Sequence, residues 1–112
     1  MLRLFGWTRF ERHEVTFCAT DLVPLLGGFV LESQRFSNTA LVLRVEVPAN
    51  RVVELGDGLR KCGVHLDTES RLAIETYEKP ELSAAGDVIG TLHVRFLHDE
   101  PDLRIETPAV PG

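Results

Sequence analysis

The 112-residue sequence has few cysteines and no long apolar run. It contains only two cysteines, Cys18 and Cys62, and no CxxC pair, which excludes a zinc ribbon and a thioredoxin-type redox centre. No apolar stretch approaches the roughly 18 residues that span a bilayer. The first ten residues also lack the apolar segment of a signal peptide. We therefore expect a cytoplasmic protein with no membrane partner, whose two cysteines are free and serve as small hydrophobic residues.

Basic residues are also scarce. Twelve Lys and Arg stand against seventeen Asp and Glu, for a net charge of −5, and the only loose basic group is Arg3, Arg9 and Arg12. An acidic surface repels a phosphate backbone, so we expect no nucleic-acid partner. The hydrophobic share of 44% and the charged share of 26% are ordinary for globular proteins. These values exclude collagen-like, coiled-coil and disordered chains.

Motifs of catalysis and cofactor binding are missing. The sequence has no G-x-S-x-G, no P-loop and no dinucleotide-binding fingerprint. Cys18 lies in an apolar segment and Cys62 at the predicted end of a helix, and neither place favours a thiolate. We therefore expect no cofactor, and we favour a binding function over an enzymatic one.

Apolar periodicity predicts the secondary structure. Alternation with a period of two predicts five strands: residues 13–20, 29–36, 40–47, 64–68 and 91–97. Spacing of three and four predicts a helix from Val52 to Cys62, and a shorter helix over residues 22–26 ends at Gly27-Gly28. Residues 71–79 fit a strand or a helix, and we favour the strand. Residues 80–90 are predicted to form a loop.

The predicted order of elements is typical of an α+β fold. It matches the ferredoxin-like arrangement (split βαβ, βαββαβ), an antiparallel sheet with two helices on one face, here with one or two extra C-terminal strands. We divide the chain into an N-terminal arm (residues 1–12), a single domain (13–98) and an extended, proline-containing tail (99–112). The arm and the tail leave about 85 residues to build the core, which favours burial against a second copy.

One segment resembles a known family. Residues 40–66 (ALVLRVEVPANRVVELGDGLRKCGVHL) are similar to the strand–helix–strand second half of small ferredoxin-like regulatory modules such as ACT-like domains. The resemblance implies a regulatory module that senses a ligand.

Candidate interface residues come from two places in the sequence. Phe5, Trp7 and Phe10 form an aromatic group near the start, while Val42 and Arg44 lie on the predicted open face of the sheet. Aromatic residues and arginine are enriched in interface cores. These five residues are therefore our candidates for a homodimer interface. Packing within one chain is the competing interpretation for the aromatic group.

A second group of residues has the chemistry of a metal or acid–base site. His65, Asp67 and Glu69 alternate along one predicted strand, and His93 lies on a strand that can neighbour it. Imidazole and carboxylate groups can bind a divalent metal or share proton transfer. A solvated sheet face is the competing interpretation, since side chains on one strand do not converge.

Two functional hypotheses follow from these features. The main one is a non-catalytic cytoplasmic binding module, which forms a homodimer or senses a small molecule or protein ligand. The alternative is a small metal-binding protein or enzyme that uses the His65 group.

Overall fold

The structure is a computed structural model that describes residues 1–36 and 39–97. Within these residues the fold is α+β, as predicted, with five strands and four helices. The strands are β1 Leu2–Thr8, β2 Phe29–Phe36, β3 Ala40–Pro48, β4 His65–Leu66 and β5 Asp87–Phe96. The helices are α1 Arg12–Leu25, α2 Val52–Lys61, α3 Thr68–Glu75 and α4 Pro80–Ser83, with single 3₁₀ turns at Ala49–Arg51 and Thr76–Glu78. None of the helices in this part of the chain is long and apolar enough to cross a bilayer.

The five strands form one mixed sheet in the order β2-β3-β5-β1-β4. β1 and β5 are parallel, and the other neighbouring strands are antiparallel. The prediction of a purely antiparallel sheet is therefore wrong at the β1–β5 pair. The C-terminal strand, expected as an addition to the sheet, lies at its centre, where its apolar side (Leu92, Val94 and Phe96) is buried.

The segment predicted as an N-terminal arm contributes a strand of this sheet. Leu2–Thr8 pairs with β5 along its whole length. Leu2, Leu4 and Thr8 are buried on the side of the core, while Phe5 and Trp7 point to the opposite face. In this strand, buried residues alternate with outer-face residues, which include aromatic ones. The aromatic residues are for this reason interpreted in the sequence as a separate group.

The strand predicted over residues 13–20 is wrong, because this segment belongs to α1. The buried residues Val15, Ala19 and Val23 are spaced by four, which is the helical period. Glu11 caps the helix: its carboxylate accepts hydrogen bonds from the backbone N–H groups of the second and third helical residues. Gly27, with a φ of 82°, ends the helix as predicted.

The strand favoured for residues 71–79 is also wrong, because α3 and a 3₁₀ turn occupy this segment. The strand predicted over residues 64–68 shrinks to His65–Leu66. Asp67 then caps α3 by accepting a hydrogen bond from the Ser70 backbone N–H (2.8 Å). Ser70 and Ile74, four residues apart, face the core. The predicted loop over residues 80–90 contains α4 and the beginning of β5.

The strands predicted over residues 29–36 and 40–47 and the helix predicted from Val52 are confirmed. β2 and β3 pair in antiparallel register, and α2 begins at Val52. The predicted inward residues of the second strand and of the helix are buried: Leu41, Leu43, Val45, Val47, Val52, Leu55, Leu59 and Cys62. The predicted tail over residues 99–112 lies outside the described residues.

One hydrophobic core joins the inner face of the sheet to buried residues of α1, α2 and α3. A disulfide between Cys18 and Cys62 links α1 to the end of α2, with the two Cα atoms 5.7 Å apart. The expectation of free cysteines is therefore wrong. The predicted strand over residues 13–20 gives no reason to place Cys18 near α2. As part of α1, Cys18 instead lies against Cys62, the residue that follows α2.

Candidate functional site

The sheet face opposite the helices carries aromatic, histidine and arginine side chains, and we call it the open face. The β1–β5–β3 register aligns Phe5 with His93 and Val42 in one row. The adjacent row aligns Trp7 with Arg95 on one side and with His65 on the other. β1 therefore runs between two histidines that come from different strands.

Two ring stacks hold the aromatic residues of β1 in place. The Phe5 and His93 rings lie 4.6 Å apart between centroids, with 13° between their planes. The Trp7 and His65 rings lie 4.2 Å apart, with 19° between their planes. The Arg9 guanidinium carbon lies 5.4 Å from the Trp7 ring centroid, within cation–π range. These cross-strand contacts fix the rings before any ligand arrives.

The four residues of the alternative metal hypothesis do not form one cluster. His65 and His93 lie on opposite sides of β1 and stack on different rings. Asp67 caps α3, and Glu69 lies in the first turn of that helix. Within residues 1–36 and 39–97, no group of three or more His, Cys, Asp or Glu is arranged to hold a metal ion. Because α3 begins directly after β4, His65, Asp67 and Glu69 do not share one strand.

Four of the five interface candidates share the open face, namely Phe5, Trp7, Val42 and Arg44. Phe10 lies elsewhere, with its ring packed against Gly63 at the end of α2. The role of these residues in an interface stays a prediction.

A shallow depression of about 270 Å³ lies on the open face. Its lining consists of two aromatic rings, one aliphatic side chain, one glycine and two charged residues: Phe5, Trp7, Leu97, Gly6, Asp67 and Arg95. Hydrogen bonds from the Ser70 hydroxyl and backbone N–H lower the pKa of the Asp67 carboxyl. Asp67 is therefore a carboxylate at neutral pH. The depression thus combines apolar ring surface with one negative and one positive group.

The β4 edge of the sheet is closed by the beginning of α3. The Phe5 backbone N–H donates to the Ser70 hydroxyl oxygen (2.7 Å), and the Asp67 N–H donates to the Phe5 carbonyl (2.9 Å). Buried Ser70 therefore continues the hydrogen bonding of β1 past the end of β4. Asp67 is a favoured N-cap residue, but the strand predicted over residues 64–68 conceals the beginning of α3 and with it the role of Ser70.

Among residues 1–36 and 39–97, β2 lies at an edge of the sheet with no further strand beside it. All eight residues of Phe29–Phe36 are exposed, on both faces of the strand. They include Phe29 at 66%, Leu31 at 46% and Phe36 at 53% exposure. A register shift between Val30 and Glu32 marks a bulge. Alternation predicts this strand from the sequence, but it carries no information about the position of the strand in the sheet.

A smaller cleft of about 160 Å³ lies between α2 and α3. Its charged lining residues have both signs: Asp57, Arg60, Arg71, Glu75 and Glu78. Arg60 already forms an ion pair with Asp57. The cleft has no aromatic side chain, so the depression on the open face is the better candidate for a binding site.

Comparison of the chain with protein-family models, with curated proteins and with solved structures finds no significant match.

Proposed function

We propose that this chain is a non-catalytic binding module that forms a homodimer by pairing the β2 edges of two copies. The observation that carries the proposal is the contrast between the two edges of the sheet. β4 has two residues and is continued by α3, whereas β2 has eight residues, all of them exposed.

The physical argument starts from the backbone of β2. An edge strand presents unpaired N–H and C=O groups, which are a template for pairing with another chain. Native proteins protect such edges with short strands, a covering element, charged side chains or bulges, and β2 has a bulge between Val30 and Glu32. β2 nevertheless has eight residues and exposes four apolar side chains, Phe29, Val30, Leu31 and Phe36. Antiparallel pairing about a two-fold axis uses the same patch on both copies and extends the sheet from five strands to ten.

The arrangement of reactive side chains supports a binding function. Both cysteines are in a disulfide, and the two histidines of the open face are stacked on aromatic rings. Nucleophilic and acid–base catalysis need a nucleophile, a base and an orienting group within hydrogen-bond reach of one another. The described side chains support binding by stacking and by charge more directly than they support such chemistry.

We propose further that the fold is a ferredoxin-like arrangement with one inserted strand. When β5 is left out, the remaining strands keep the order β2-β3-β1-β4. β1 and β2 run in the same direction, connected by α1, as in a split βαβ unit.

The cytoplasmic location expected from the sequence also stays a proposal. The Cys18–Cys62 disulfide weighs against it, because structural disulfides persist mainly in oxidising compartments.

Light scattering coupled to size-exclusion chromatography tests the homodimer. We expect the wild-type chain to elute at twice its 12.5 kDa mass and Leu31→Lys to elute as a monomer. A lysine on the edge strand opposes pairing. Leu72→Lys is the matched control, because Leu72 is exposed to a similar degree (55%) but lies on α3. A monomeric wild type at all concentrations, or equal effects of the two variants, would contradict the proposal.

A further inference from the structure

We propose that the depression on the open face binds a mononucleotide with a guanine base, the base at Asp67 and the phosphate at Arg95. This site is separate from the β2 edge and does not depend on homodimer formation.

The apolar part of the site consists of pre-positioned rings. Phe5 and Trp7 line the depression, and each has one face covered by a histidine. The Arg9 guanidinium also lies over the Trp7 ring. The exposed surface of the Phe5 ring therefore offers a planar base an aromatic contact. Base–aromatic stacking contributes substantially to nucleotide binding and tolerates any base, so the rings account for affinity and not for selectivity.

The two charges define the orientation of the ligand. Asp67 lies on the β4 side of β1 and Arg95 on the β5 side, one row further along the strands. Strand spacing and rise place their Cα atoms about 12 Å apart. The two side chains come from opposite sides of β1, so a ligand that contacts both has to reach across this strand. A nucleotide carries its phosphate and the donor edge of its base at opposite ends, whereas an α-amino acid carries both charges on one carbon atom.

Asp67 favours guanine among the bases. Its carboxylate is ionised and only accepts hydrogen bonds. Guanine presents two adjacent N–H donors on its Watson–Crick edge, which can bind a carboxylate in a bidentate manner. Adenine and cytosine place an acceptor next to their amino group, and that acceptor repels a carboxylate.

Arg95 provides the counterpart for the phosphate. Its side chain is exposed, and no residue among 1–36 and 39–97 forms an ion pair with it. A guanidinium group binds phosphate oxygens through two parallel hydrogen bonds.

Volume and net charge favour a single nucleotide over a strand of nucleic acid. The depression, at about 270 Å³, falls just below the range of ordinary ligand pockets, which begins at roughly 300 Å³. The chain carries a net charge of −5, which opposes a polyanion far more than a single phosphate.

Trp7 makes the test direct, because it is the only tryptophan in the chain. Its fluorescence is followed while the wild-type protein is titrated separately with GMP, AMP, guanosine and inorganic phosphate. We expect a saturable change with GMP. AMP lacks the paired donors and guanosine lacks the phosphate, so each should bind about tenfold more weakly or worse. Inorganic phosphate alone should give no change.

Variants assign the two ends of the ligand. Asp67→Asn keeps a good helix cap but loses the carboxylate, and Arg95→Gln loses the phosphate partner. Each should weaken GMP binding about tenfold or more. Arg44→Gln is the control for the loss of one positive charge, because Arg44 lies on the same face but outside the depression. This variant should bind GMP with the affinity of the wild type. Leu31→Lys should also bind GMP normally, which separates this proposal from that of the homodimer.

Three results would overturn the proposal. The first is the absence of a saturable response to GMP, and the second is an equal response to GMP and AMP. The third is tighter, strongly salt-dependent binding of a short guanine-containing oligonucleotide, which would point to nucleic acid as the ligand.

Discussion

Trp7 and His65 stack face to face across the β1–β4 pair, with their ring centroids 4.2 Å apart. The contact joins the shortest strand of the sheet to the wall of the depression on the open face. It therefore combines a structural role with a role in positioning the ring that we assign to ligand binding.

Replacing His65 should release the Trp7 ring. We expect His65→Ala to lower the free energy of unfolding by about 1 kcal/mol, the usual contribution of a stacked aromatic pair, and to weaken GMP binding. Urea unfolding followed by circular dichroism measures the first effect. His13→Ala is the control, because His13 is exposed at the start of α1 and should change stability by less than about 0.5 kcal/mol. Equal stability of the two variants would contradict the structural role of the stack.

Replacing Ser70 should lower the stability of the fold by more than the small size of its side chain indicates. Ser70→Ala removes the acceptor of the Phe5 backbone N–H and leaves a partly buried donor unpaired. We expect a loss of about 1–3 kcal/mol in the free energy of unfolding. Faster hydrogen exchange at the Phe5 amide would locate the effect. Ser33→Ala on exposed β2 should be nearly neutral, and a similar result for Ser70→Ala would contradict the proposed closure of the β4 edge.

The disulfide should contribute strongly to stability. It joins residues separated by 44 positions, for which chain entropy gives a stabilisation of about 4 kcal/mol. We expect reductant to lower the urea midpoint of the wild type and to leave Cys18→Ala unchanged. Cys62 is buried at 7% exposure and is tolerated there as a thiol. Equal midpoints with and without reductant would show that the bond is absent or without effect.

Acid should weaken the cap of α3. Folding lowers the pKa of Asp67 through the hydrogen bonds of Ser70, so the folded state holds the proton less tightly than the unfolded state. The stabilisation is present above the ordinary Asp value of about 4 and is lost as the pH falls through the lower folded pKa. Asp67→Asn does not titrate. The stability difference between wild type and Asp67→Asn should therefore shrink on acidification from neutral pH, and a constant difference would contradict this account.

The parts of the fold that were predicted correctly have one dominant local period. β3 alternates without exception from Leu41 to Val47, and the buried stripe of α2 begins at Val52. The helix predicted over residues 22–26 is the end of α1, and the earlier part of α1 was predicted as a strand because its sequence satisfies two periods at once. Val15 and Ala19 belong both to an alternating run and to a series spaced by four, and only packing against α2 decides between them.

The candidate site could not be assembled from the sequence, although most of its residues were singled out. The sequence predicts an interface role for Phe5 and Trp7 and a metal or acid–base role for His65 and His93. The Phe5–His93 contact depends on β5 lying beside β1, a pairing between the two ends of the described chain, and the Trp7–His65 contact depends on β4 pairing with the other side of β1. Local periodicity carries no information about such a pairing. Asp67 was placed on a strand because its role as a helix cap depends on where β4 ends.

Hydrogen exchange at the β2 amides tests the central claim most directly. In the proposed homodimer, the amides of Phe29–Phe36 that point away from β3 are hydrogen-bonded to the second copy. We predict that they are protected at high protein concentration, that dilution removes the protection, and that Leu31→Lys removes it at every concentration. Rapid exchange of these amides in the wild type at all concentrations would contradict the claim that β2 is the interface.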